Sequence, residues 1–349
     1  MKKIAVVVLN WNGQKFLEQF LPTVIKHSSI AQIIVADNQS TDTSVSYLKS
    51  NFPEVVIIQN SHNDGFAKGY NTALKQVQAE YYVLLNSDVE VTPNWLEPII
   101  TLMDSNKNIA ACQPKILDYY HRHLFEYAGA AGGFIDTYGY PFCRGRIFNH
   151  LEKDTNQYND ATEVFWATGA CLFIRAEAFW KVGGFDNDYF AHMEEIDVCW
   201  RLKNIGYKNY VVPQSTVYHV GGGTLHKLNP KKTYLNFRNN LTTLTKNSPS
   251  NFLFFKILYR MILDAVAAFK FLFEGYPKYF FAVIKAHFSF YRMLPSTLRK
   301  RKDMKSKTNF SYTNSAILNS NIVFDFFIKK MFLFSSFKFN KNDKLGSND

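Results

Sequence analysis

Four cysteines in 349 residues, Cys112, Cys143, Cys171 and Cys199, show no CxxC spacing and no His-rich companion. That excludes a disulfide scaffold and a Cys–His metal site, and predicts buried thiols in a reducing cytoplasm. No GxGxxG follows the first apolar run, which argues against a dinucleotide-binding oxidoreductase. No Ser/His/Asp or Cys/His array is evident, so no covalent nucleophile is expected. The apolar run Ile4–Leu9 behind the two leading lysines is too short for a secretory leader. Acid is scarce in the last hundred residues. Residues 250–349 carry 6 acidic against 17 basic residues, whereas residues 1–249 carry 23 of each. The net charge of +11 therefore belongs to the last hundred residues, on a neutral body.

What is present is strand and helix in alternation. Ile4–Leu9, Ile33–Ala36, Val55–Ile58 and Tyr81–Leu85 read as buried strands, the last an unbroken apolar and aromatic run. Helices are expected over Gln14–Lys26, from a cap at Ser40 or Thr41 to Asn51, and, entered through Asn63–Asn71, on to Val77. Short connections between four such units predict an α/β fold with a mostly parallel, right-handed sheet. Residues 105–163 are turn-rich, and Phe165–Ile174 is a strand-like run interrupted at Gly169. A further helix is expected from about Met193 to Asn204, with Gly206 behind it.

Ligand sites of open α/β sheets lie beyond the carboxyl ends of the strands. Asn86, Ser87, Asp88 and Glu90 follow the Tyr81 strand there, where Asp88 suits a hard divalent cation or, alternatively, caps a turn. Asp37 either accepts hydrogen bonds from a base or ribose, or closes an Asx-turn with Asn38. Gly65 and Gly69 permit close backbone approach, and Lys68 between them reaches a phosphate or simply solvent. Asp197 and Arg201 have the spacing of a helix ion pair. Glu194 and Glu195, behind the apolar Tyr189–Ala191, are candidates for a general base tuned by burial. His219 closes a strand before a glycine loop, placed to complete a metal site with Asp88. Lys231, Tyr234 and Arg238 form one cationic face suited to a diphosphate.

The ordered motifs VVVLNWNG, VADNQSTD, NDGFAKGYN, LLNSDVEV, TGACLFIR, GGFDNDYFAHMEEIDVCWR and YHVGGGT with KKTYLNFRNN span about residues 3–245. Together they resemble family-2 glycosyltransferases of the GT-A fold, in the rhamnosyltransferase-like branch. That resemblance implies transfer of a sugar, with inversion, from a UDP- or dTDP-linked donor, assisted by Mg²⁺ or Mn²⁺. It implies Asp37 at the base, Asp88 as the metal-binding acid with Glu90 and His219 beside it, and Glu195 as base with Glu194 and Asp197 as alternates. Donor contacts would come from Asn10, Asp37, Asn38, Gly65, Lys68, Asn86, Ser87, Lys232 and Arg238. The sequence departs from the DXD pattern, since Asn86-Ser87-Asp88 holds a single Asp. The acceptor expected is a glycan or lipid-linked glycan in surface polysaccharide synthesis. The alternative is a catalytically inactive nucleotide-sugar-binding or scaffold protein of the same fold.

Residues 1–249 then form the GT-A domain, residues 250–302 basic amphipathic helices, and residues 303–349 a polar linker with a short closing segment. Lys256, Arg260, Asp264, Lys270 and Glu274 share one arc of a helix, and Lys278, Lys285 and Arg292 recur every seven residues. The charges recur too often for a membrane-spanning helix. An anionic membrane surface is the expected partner, at the inner face of the plasma membrane, with docking on the catalytic body as the alternative. Nucleic acid is not expected, because the aromatics fall in helical stripes without an RNA-binding motif.

Overall fold

A computed structural model describes residues 2–221, 229–307 and 315–339. The first third alternates as expected: β1 (Ile4–Asn10), α1 (Gln14–Lys26), β2 (Ala31–Asp37), α2 (Ser44–Asn51), β3 (Val56–Gln59), α3 (Gly65–Leu74) and β4 (Tyr81–Asn86). Helix α2 starts later than expected. Asp42, not Ser40 or Thr41, accepts the Ser44 N–H at 3.1 Å, while Ser40 is drawn to Asp37. There follow β5 (Val89–Val91), α4 (Glu97–Ser105), β6 (Ile109–Asp118) and four short strands, β7 (Gly133–Asp136), β8 (Pro141–Cys143), β9 (Arg146–Ile147) and β10 (His150–Leu151). The body closes with β11 (Thr162–Val164), β12 (Cys171–Arg175), α5 (Ala176–Lys181), α6 (Glu194–Asn204), β13 (Lys208–His219) and α7 (Pro230–Asn247). Beyond it lie α8 (Leu253–Phe273), α9 (Pro277–Lys307), β14 (Ile317–Leu318) and α10 (Ile322–Phe327).

Among the described residues nine strands form the main sheet, ordered β11-β13-β6-β12-β4-β1-β2-β3, with β5 on β13. Strands β4, β1, β2 and β3 are mutually parallel, as are β6 and β13; β12 runs antiparallel between β4 and β6. Val6, Val83 and Leu84 are wholly buried between helices on both faces, each such side chain contributing about 1.5–3 kcal/mol. An aspartate in place of Leu84 would leave a desolvated charge there and break the strand.

Within the turn-rich middle, β6 is a ten-residue strand that the pattern hides, because Gln113, Pro114 and Lys115 interrupt its apolar run. Each is satisfied inside the protein. Gln113 accepts the Thr168 N–H at 3.0 Å and donates to the Gly129 carbonyl, while Lys115 is paired with Asp154 at 2.6 Å. The run Phe165–Ile174 is not one strand, since residues 165–170 form the turn between β11 and β12.

The last segment departs most from expectation. Residues 303–321 are not simply a polar linker: α9 continues to Lys307, and β14 adds a strand beside β7, completing a five-stranded sheet ordered β10-β9-β8-β7-β14. Phe334 then packs on Phe134, with ring centroids 4.9 Å apart. The expected glycine loop, from 222 on, and the end of the closing segment, 340–349, lie outside the described residues.

Candidate active site

Two acidic clusters meet at the carboxyl edge of β4. The first hangs on register. Strand β13 pairs with β5 so that His219 lies opposite Val89, next to Asp88. His219 Nε2 sits 3.1 Å from Asp88 Oδ1, and Nδ1 lies 3.4 Å from Glu126 Oε1, off the line of a hydrogen bond. All three side chains are buried. Burial opposes charge on the imidazole, but the Asp88 and Glu126 carboxylates outweigh it and raise the His219 pKa well above its ordinary value. Glu126, in the turn-rich region, carries no sequence signal; its place behind His219 is that of a carboxylate orienting a ligand imidazole.

Asp88 and His219 present an oxygen and a nitrogen donor at one point; the carboxylate suits Mg²⁺ or Mn²⁺, and the imidazole, which hard Mg²⁺ disfavours, could join only after giving up its proton. No three His, Cys, Asp or Glu among the described residues are grouped to hold an ion. Further positions would fall to substrate oxygens, as in Mg²⁺ sites that use one or two carboxylates. Glu90 does not join them: its carboxylate is 2.8 Å from the Arg122 guanidinium, which also stacks on Tyr218.

The second cluster begins α6. His192 and Met193 both have positive φ, 71° and 75°, a conformation costly for residues with side chains. It is pinned by Asn239 of α7, wholly buried, whose Nδ2 donates to the Ala191 carbonyl at 3.0 Å and the His192 carbonyl at 2.8 Å. The turn aims Glu194 and Glu195 inward, where Oε2 of each is buried without a hydrogen-bond partner. Burial, then the neighbouring Glu195, raises the Glu194 pKa well above its usual range; burial raises Glu195 to about 7. A Cβ on Gly169 would lie 3.7 Å from Glu195 Cβ. The next residue, Ala170, accepts the Asn86 N–H at 3.0 Å, so Glu195 stands beside the end of β4. Cys143 lies within electrostatic reach of both Glu126 and Glu195.

Other expected site residues serve the framework. Asp197 is wholly buried, held by Arg201 at 2.7 Å, Lys246 at 2.7 Å and Asn247 at 2.7 Å, and ties α6 to α7. Asp37 accepts from Asn10 Nδ2 at 2.9 Å and from the Ser40 N–H and hydroxyl at 2.9 and 2.6 Å. That is the turn reading, with Ser40 where Asn38 was expected. Asn38 instead binds Gly65 and Asn60. At Gly65 and Gly69 the backbone closely approaches Phe190 and Asn38: added Cβ atoms would lie 2.2 Å from Phe190 O and 2.5 Å from Asn38 Nδ2. Lys68 pairs with Asp64 at 2.9 Å on an exposed surface. Arg238 reaches Asn239 and the Asp188 carbonyl, and Tyr234 bonds Ser289 of α9, so this face of α7 is shared with the closing helices. Lys232 lies within electrostatic reach of His192, whose pKa is lowered to about 4 chiefly by burial. Asn86 and Ser87 remain half-buried at the edge, and Trp11 is 47% exposed beside Asn10.

Comparison with known proteins agrees with this geometry. The family model described as glycosyl transferase family 2 matches residues 5–183. An N-acetylglucosaminyl-diphospho-decaprenol L-rhamnosyltransferase of Mycobacterium tuberculosis is 25% identical over 232 residues, 62% of this chain and 75% of that protein. The rhamnosyltransferase WbbL of Escherichia coli is 22% identical over 62% of this chain and 83% of its own length. Among solved structures, GalNAc-T7 with UDP, GalNAc and Mn²⁺ superposes with a TM-score of 0.56 at 18% identity, covering 70% of this chain and 48% of that one. The mannosyltransferase PcManGT of Pyrobaculum calidifontis, in complex with GDP-Man and Mn²⁺, gives 0.52 at 14% identity over 88% of this chain and 83% of that one. With its sheet order, its edge clusters and more than half its length matched, this chain belongs to glycosyl transferase family 2.

Proposed function

We propose that the protein transfers a sugar, with inversion, from a UDP- or dTDP-linked donor to a hydroxyl of a lipid-linked glycan, as a peripheral protein at the inner face of the plasma membrane. The observation that carries the reading is the contrast at one sheet edge: Asp88 paired with His219 at 3.1 Å, and a half-buried Glu195 whose Oε2 is buried without a hydrogen-bond partner. Support for donor and acceptor class comes from the relatives, one of which is named for a decaprenol-linked substrate. Trp11 offers a ring face for the donor base at the exposed end of β1.

Asp88 and His219 would hold the divalent cation. Its chemistry, when bound, is to stabilise the negative charge that develops on the leaving diphosphate. Arg238 and Lys232 add fixed positive charge on the α7 side. The Glu195 carboxylate takes the proton of the acceptor hydroxyl as the oxygen attacks the anomeric carbon from the face opposite the diphosphate. Its raised pKa, about 7, places it where a base is effective near neutral pH. Glu194, buried behind it, keeps its proton and so does not compete. The test is transfer from UDP- and dTDP-sugars to lipid-linked acceptors with Mn²⁺, Mg²⁺ or chelator present. Undiminished turnover by both Asp88→Asn and Glu195→Gln would overturn these roles.

A further inference from the structure

Helix α8 turns its polar side inward and its apolar side out. Lys256 donates to the Thr137 carbonyl and Arg260 to the Tyr138 carbonyl, each at 2.9 Å. The Arg260 guanidinium lies 3.4 Å from the Tyr140 ring centroid, and Asp264 is 3.1 Å from His287 of α9. Arg260 and Asp264 are almost wholly buried. The opposite side carries Phe255, Leu258, Ile262, Val266, Phe269 and Phe273, each between 48% and 86% exposed. At 100° per residue these six fall within an arc of about 80°. Helix α9 continues the surface: Lys278, Lys285, Arg292 and Arg299 recur every seven residues on its exposed side, with Phe281 and Phe288 between them.

We propose that this α8–α9 face docks on an anionic lipid bilayer, α8 lying in the interface plane with its apolar side at the acyl boundary and the α9 stripe on the lipid phosphates. The inference deepens the peripheral placement proposed above and rests on it; the transfer chemistry does not depend on it. A contiguous apolar surface of this kind marks an interaction site. Rotating it inward would expose Arg260 and Asp264 and unpair both. No helix among the described residues is long and apolar enough to cross a membrane, so contact is in the plane of the surface. Charge selects the occupant: the basic stripe complements anionic headgroups, whereas a two-fold contact between copies sets the two stripes side by side. Docking would also orient the cleft, because Lys300 of α9 grips Asp188 at 2.6 Å and also pairs with Asp186, in the loop leading to Glu194 and Glu195.

The test is flotation of the full chain with vesicles of mixed phosphatidylglycerol and phosphatidylcholine, against phosphatidylcholine alone. We expect flotation with the anionic vesicles, weakened by raised salt. Phe255→Ser/Ile262→Ser/Phe269→Ser should lower it about tenfold or more, as should Lys278→Glu/Arg292→Glu/Arg299→Glu, which alters only exposed charges. Both variants should keep transfer to a water-soluble acceptor. Flotation of both variants equal to that of the unaltered chain overturns this face while leaving peripheral placement standing. No flotation of the unaltered chain overturns both, with transfer to the soluble acceptor still reporting on the chemistry separately. A lipid-independent dimer that the α8 variant dissociates makes the face a self-interface and overturns the proposal.

Discussion

Asp88 and Glu195 are both carboxylates at the edge of the same sheet, yet their surroundings differ. Asp88 faces a buried imidazole that it keeps protonated, with Glu126 on the far side of the ring. Glu195 sits at a helix start with Oε2 buried and unpartnered, beside a second glutamate that burial also protonates. A carboxylate and an imidazole that can give up the proton between them suit a cation; a buried, unpartnered carboxylate oxygen suits a group that holds and releases a proton. Residue type alone does not assign the role, and the environments that push two like groups apart do.

The largest expected effect tests the base. Glu195→Gln should lower the turnover of transfer by about 10²–10⁴, with donor affinity, read by calorimetry, unchanged. The unaltered enzyme should gain activity as pH rises through about 7, because the base works only once deprotonated. Next is the cation side. Asp88→Asn should cost about 10²–10³ in rate and abolish the response to Mn²⁺. Glu90→Gln should do neither, since Arg122 already occupies that carboxylate; equal losses in both would erase the distinction between them.

A third carboxylate sharpens the contrast from the stability side. Asp197→Ala leaves Arg201 and Lys246 buried without their shared partner, which should cost about 3–5 kcal/mol by denaturant unfolding. Asn239→Ala releases the strained turn before Glu194 and should lower kcat about 10- to 100-fold. The donor KM should hold while the pH midpoint of activity moves, which loss of general stability would not produce. The smallest effect is on stability against pH. Folding raises the pKa of Glu194 and Glu195, so their contribution is fully present below the unfolded value of 4.5 and is lost as pH rises through the folded one, about 7 for Glu195. Melting temperature should therefore decline over that window, and less so in a Glu194→Gln/Glu195→Gln protein.

Much of this architecture was legible because it is local. The strands at Ile4, Ala31, Val56 and Tyr81 are apolar runs between turn residues, and a buried parallel strand needs little else. Strand β6 escaped because Gln113 and Lys115 are satisfied by residues 39–55 positions away. Of the site, Asp88, His219 and Glu195 carried motif signals, whereas Glu126 and Asn239 carried none for the parts they play. Asp37, Gly65, Lys68, Glu90 and Asp197 had plausible chemistry by type and place, but Ser40, Phe190, Asp64, Arg122 and Lys246 respectively engage them. Partners brought together by folding cannot be counted along a chain.

The helices past residue 250 divide in the same way. Their amphipathicity and their positive charge are properties of order and composition, set by the chain alone. Which side faces in was decided by tertiary contacts: the carbonyls of Thr137 and Tyr138 and the Tyr140 ring can receive Lys256 and Arg260, so the first part of the charged arc goes to the protein, Lys270 and Glu274 pair at the surface, and Phe255, Phe269 and Phe273 go out. Periodicity specifies that a helix has two faces; only the surface it meets specifies which one is buried, because burial free energy belongs to the pair of surfaces and not to either alone.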